Sequence, residues 1–77
     1  MNYTQLTEKK KVEIEILLKQ VRQKKNMTLS KLSEKSGVSS THINDIENNI
    51  KSPSLFVMVR LSKALDVEIT ELYKVKW

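Results

Sequence analysis

The residues of this chain best equipped for chemistry are crowded between positions 39 and 48: Ser39-Ser40-Thr41-His42, then Asn44-Asp45, then Asn48. Serine, histidine and aspartate together invite comparison with a nucleophile, its base and an orienting acid. Such a set needs a third group within reach and a concave pocket to work in. A small helical domain of 77 residues offers no obvious pocket, and enzyme activity is not expected. The single histidine has no cysteine or second histidine to join it, so neither a metal nor a cofactor is expected. Short hydroxyl and amide side chains on one helix face suit another task, hydrogen bonding to base edges and phosphates.

The elements that must position these groups lie within residues 29–46, which read as two short helices broken once, at Gly37. Leu29, Leu32, Val38, Ile43 and Ile46 anchor both on one side, and the only glycine of the chain sits where the first must stop and turn. Thr28 is placed to cap the first of the two and Ser39 the second. Ser54, just after Pro53, is placed to cap a further helix ending near Leu65 or Asp66. Upstream, Val12, Ile14, Leu17, Leu18 and Val21 give a mostly helical pattern, widened by Ile16, and predict a helix over residues 8–25, with Thr7 as its cap and Asn26 closing it. Ile69 to Tyr73 reads as one or two final turns. The expected fold is therefore all-α, a compact five-helix domain over residues 8–73. Residues 1–7 are expected to form a flexible arm and residues 74–77 a tail.

Composition agrees with one small helical domain. Glycine and proline occur once each, and cysteine is absent, so no disulfide or thiolate site can staple the fold. The net charge of +5 is uneven: residues 1–36 carry nine cations and four anions, residues 37–77 five of each. A basic balance points to a polyanionic partner. No apolar run approaches the roughly 20 residues that span a bilayer, and the N-terminus lacks the order of a signal peptide, so a cytoplasmic location is expected.

Several separately spaced segments resemble the phage-repressor (Xre/Cro-like) helix-turn-helix family. They are Leu18-Lys19-Gln20-Val21-Arg22, Met27-Thr28-Leu29, Leu32 through Ser39, Ile43-Asn44-Asp45-Ile46-Glu47, Pro53-Ser54-Leu55, Leu61 through Val67, and Thr70-Glu71-Leu72. Departures are Leu29, where many relatives carry a phosphate-binding glutamine, and Asn49 and Asp66 in place of glycines. The resemblance implies a small transcriptional regulator, a repressor in many relatives, that inserts its third helix into the major groove of double-stranded DNA. It assigns base reading to Ser40, Thr41, Asn44 and Asp45, and phosphate contacts to Thr28, Ser39, Asn48, Lys51 and Ser54. Arg22 and Glu47 are implied to form an ion pair tying the first helix to the third.

Phe56 and Val57 fall outside the expected core stripe of the fourth helix, Leu55, Met58, Val59, Ser62 and Leu65. The tail alternates Tyr73, Val75 and Trp77 with lysines. Exposed apolar groups of this kind call for cover. The expectation is a homodimer in which Phe56, Val57, Tyr73, Val75 and Trp77 meet a second copy, on an approximately palindromic operator. The alternatives are a tail folded back on its own chain and a protein partner such as a toxin. RNA is disfavoured, since no aromatic residue lies on the reading helix to stack a base.

Overall fold

A computed structural model describes residues 12–76. In chain order it contains strand β1 (Glu13–Ile16), helices α1 (Leu18–Lys24), α2 (Leu29–Ser36), α3 (Ser40–Glu47) and α4 (Leu55–Leu65), a 3-10 turn (Ile69–Glu71) and strand β2 (Tyr73–Lys76). The arm at 1–7, Thr7, the lysines at 9–11 and Trp77 lie outside the described residues.

Two features of the expected all-α, five-helix fold are corrected. The segment before Leu18 is a strand, not the first half of a helix, and the fifth helix is a single 3-10 turn. Val12-Glu13-Ile14-Glu15-Ile16 alternates with period two and is rich in β-branched residues, a strand pattern once a partner exists. The partner is the tail, Tyr73-Lys74-Val75-Lys76, which alternates in the same way. The strands pair antiparallel, Ile14 opposite Val75 and Ile16 opposite Tyr73, so one face is apolar and the other carries Glu13, Glu15, Lys74 and Lys76. Lys76 Nζ lies 3.1 Å from Glu15 Oε1 on that charged face. The tail, expected to cross to a second copy, thus hydrogen-bonds to its own chain, and the Leu17 N–H extends the tie by donating to Leu72 O at 2.8 Å.

The core is built from Leu18, Leu32, Val38, Ile43, Ile46, Met58, Leu61, Leu65 and Leu72, contributed by all four helices and the segments beside them. Burying about nine such side chains is the main favourable term available to a domain of this size. On α4 the buried line runs Met58, Leu61, Ser62 and Leu65, with Val57 half-buried beside it. Leu55 and Val59, expected inside, are exposed, and Val57, expected outside, packs against the core. Leu55 is the first residue of the helix and lies beside the loop before it. The turns are closed by left-handed residues: Asn26 (φ 55°), Gly37 (φ 74°), Asn49 (φ 59°) and Asp66 (φ 56°).

Candidate nucleic-acid interface

Two helices joined by a turn of three residues carry the candidate site. Gly37 ends α2, its N–H donating to Ser33 O at 2.9 Å, and its positive φ redirects the chain into Val38 and Ser39. Buried Ser36 completes the turn by accepting from the Val38 N–H at 3.1 Å. Ser39 then caps α3, its Oγ accepting from the His42 N–H at 3.1 Å. Thr28 caps α2 through the Lys31 N–H at 3.0 Å, and Ser54 caps α4 through the Val57 N–H at 3.1 Å. A capping hydroxyl spends one lone pair on the helix and keeps its O–H to donate. The three exposed caps can therefore still offer a proton to a phosphate oxygen, beside the free amides of a helix start.

Burial sorts α3 into two sides. Ile43 and Ile46 are fully buried, which fixes the rotation of the helix. Ser40, Thr41, Asn44 and Asn48 consequently line the exposed side, while His42 and Asp45 are half-buried at its margins. Asn48, expected to contact the backbone of a nucleic acid, lies one turn beyond Asn44 and donates Nδ2–H to Asn44 Oδ1 at 3.2 Å. Sequence spacing of four residues was the available signal for this bond. It holds the Asn44 amide in one orientation and leaves both of its N–H groups and a lone pair free, the set a bidentate contact to adenine uses. Lys51, in the loop after α3, is exposed beside this face. That loop is drawn back onto the helix by the Ile50 and Lys51 N–H groups, which donate to Asp45 O at 2.8 and 3.4 Å.

Arg22 and Glu47 hold α1 to α3 from behind. Arg22 Nε and Nη2 donate to the two carboxylate oxygens at 2.7 and 3.1 Å, and Nη1 donates to Met27 O at 2.8 Å. The hydrogen bond to Glu47 raises the Arg22 pKa above its already high ordinary value, with the carboxylate's charge adding to it and burial opposing. A raised cation pKa contributes stability below the unfolded value and loses it only as pH climbs through the folded one, so no ordinary alkaline buffer removes it. The pairing has a second effect: Glu47, an acid on α3, is turned inward and its charge is matched by the guanidinium. Among the described residues no group of three or more histidine, aspartate or glutamate side chains could hold a metal ion.

Of the surface expected to meet a second copy, Phe56 is exposed with the Arg60 guanidinium 5.2 Å above its ring. Val75 is exposed on the strand pair, whereas Val57 and Tyr73 pack against the core.

A capped helix, a tight left-handed turn and a second capped helix with a polar outer face define a helix-turn-helix domain. A helix-turn-helix family model matches residues 18–72, and the chain belongs to that family, in its phage-repressor (Xre/Cro-like) branch. Over 60 residues it is 37% identical to the HTH-type transcriptional regulator SinR of Bacillus licheniformis, an alignment taking in 77% of this chain and 54% of that protein. The solved N-terminal DNA binding domain of SinR from Bacillus subtilis is 37% identical, with a TM-score of 0.64 covering 69% of this chain and 78% of that one. The restriction-modification controller protein C.AhdI from Aeromonas hydrophila is 28% identical, with a TM-score of 0.68 over 70% of this chain and 82% of its own. The chain spans about half the length of the curated relatives it matches. No described helix is long and apolar enough to cross a membrane.

Proposed function

We propose that this chain is a sequence-specific, double-stranded DNA-binding transcriptional regulator of the repressor type, working in the cytoplasm as a homodimer. In this reading α3 enters the major groove, Ser40, Thr41, Asn44 and Asp45 meet base edges, and the hydroxyls of Thr28, Ser39 and Ser54 with Lys51 hold the phosphates. Asn48 acts at one remove, by orienting Asn44.

The observation that carries the reading is the outer side of α3. It is polar, exposed, fixed in rotation by two buried isoleucines and bordered by capping hydroxyls. Short side chains of both donor and acceptor character can follow the pattern of groups along the groove floor, and the Thr41 methyl can meet a thymine methyl. The names of the solved and curated relatives support the same class.

Selection of binding sites from random duplexes by the purified full chain is the decisive experiment. An enriched inverted repeat, with half-sites about one helical turn apart, is the expected outcome. Selection that returns no enriched sequence rejects the reading.

A further inference from the structure

The strand pair is apolar on one side only, and the described residues cover just half of that side. Ile16 and Tyr73 rest on the core, but Ile14 and Val75, directly opposite each other farther along the ribbon, do not. Ile14 is 60% exposed and lines a groove of about 480 Å³ with Ile50, Pro53, Leu55 and Tyr73. Across the groove stand Ile50 at 67% and Leu55 at 74% exposure, among the barest aliphatic side chains of the described residues.

We propose that this groove receives a second copy of the chain, the projecting Leu55 of each copy entering the groove beside Ile14 and Ile50 of the other. The proposal deepens the homodimer reading above and shifts its surface: Tyr73 and Val75 stay, while Ile14, Ile50 and Leu55 take the place of Phe56 and Val57.

Three observations select this occupant. Ile14, Ile50 and Leu55, with Val12 and Val75 on the same side of the ribbon, are five aliphatic residues left exposed together, the kind of surface from which a stable dimer builds the roughly 800 Å² that each partner covers. The patch also holds both a knob and a hole. Leu55 protrudes at the rim of the groove it lines, which is what a two-fold interface built from one surface needs. Finally, the ribbon's four charged residues all lie on its other face, and among the described residues Lys51 is the one charged side chain lining the groove. A charged peptide would find little to select it there, whereas an identical apolar surface meets little repulsion. The groove also follows directly on the C-terminal end of α3, being lined by the loop from Asn49 to Pro53, so a second copy seated in it lies next to the candidate interface.

Sedimentation equilibrium of the full chain tests this. A dimer at tens of micromolar is expected, converted to monomer by Leu55→Lys and, separately, by Ile50→Lys, each with the far-ultraviolet circular dichroism of the parent. Both sites are exposed and outside the core, so folding survives either change, and Ile50→Ser serves where a charge proves disruptive. A monomeric parent overturns the proposal, as does a dimer that survives both lysine variants or one lost only with Phe56→Lys. So does a parent that dimerises only after residues 1–11 are removed, since the chain's own segment then fills the groove. The two readings fail separately: a Leu55-dependent dimer that selects no DNA sequence leaves the groove assignment standing and rejects the DNA reading. With both sound, Leu55→Lys weakens binding to a full inverted repeat at least tenfold and leaves binding to a single half-site unchanged.

Discussion

Replacement of Arg22 by alanine removes more than one contact. The guanidinium supplies both hydrogen bonds of a two-pronged pair and a third to the Met27 carbonyl, and its side chain and that of Glu47 are only 11% and 3% exposed. With Arg22 gone, the Glu47 carboxylate stays between α1 and α3 with little water and no counter-charge, a situation that costs about 3–5 kcal/mol. A domain of this length has roughly 4–12 kcal/mol to lose, so Arg22→Ala removes at least about a quarter of that stability and, at the low end of the range, all of it. Removing both charges behaves differently. Arg22→Met with Glu47→Leu exchanges the pair for apolar groups of similar volume, and the remaining loss, from the orphaned Met27 carbonyl, is about 1 kcal/mol. Arg22→Lys falls between, because one ammonium cannot reach both carboxylate oxygens and the carbonyl in the same geometry. Urea unfolding followed by circular dichroism, with the midpoints converted through a common slope, completes the cycle. The reasoning fails if Arg22→Ala loses less than about 1 kcal/mol, or if the double variant loses the sum of the two single ones.

Asn44→Ala weakens specific DNA binding by about 1–3 kcal/mol with an unchanged fold, read by fluorescence anisotropy on the selected site; equal affinity would remove Asn44 from base contact. Asn48→Ala, by freeing the Asn44 amide, relaxes preference at the same base pair and affects the others less, which a panel of single-base variants of the site resolves. Lys51→Gln lowers the slope of log affinity against log salt by about 1 and weakens all sequences alike. Gly37→Ala costs roughly 1–2 kcal/mol because of its positive φ. The added methyl would sit 3.5 Å from Arg60 Nη1, an ordinary contact, so Arg60→Ala should restore none of that loss.

The turn at the centre of the candidate site was legible because its signals are local. Thr28, Ser39 and Ser54 are caps by residue type and position, and Gly37, Asn26 and Asn49 are residues that tolerate a left-handed φ. The two-sided pattern of α3 followed from Ile43 and Ile46 alone. What failed was non-local. The stretch from Val12 to Ile16 satisfies a strand period and, taken with Leu17 to Val21, a helix period as well, and only a partner nearly the whole described chain away decides between them. The rotation of α4 was missed for a related reason. Leu55, Val57 and Val59 are all apolar, so hydropathy alone could not say which of them faces the core. The Asn44–Asn48 bond has the right spacing but depends on rotamers that residue types do not encode.

The ribbon that joins the two ends of the described chain also has a kinetic meaning. Pairing Glu13 with Lys76 closes a loop around every helix, whereas the contacts of α2 with α3 form between neighbours in sequence. Loop closure of that length carries a large entropic toll, so the ribbon zips up after the helices have collapsed and is the first part to come undone. Amide exchange should accordingly find Glu13–Ile16 and Tyr73–Lys76 opening in a separate, cheaper event than α3, whose buried isoleucines hold it to the last. Helix α3 therefore keeps its posture through fluctuations that unfasten the clasp.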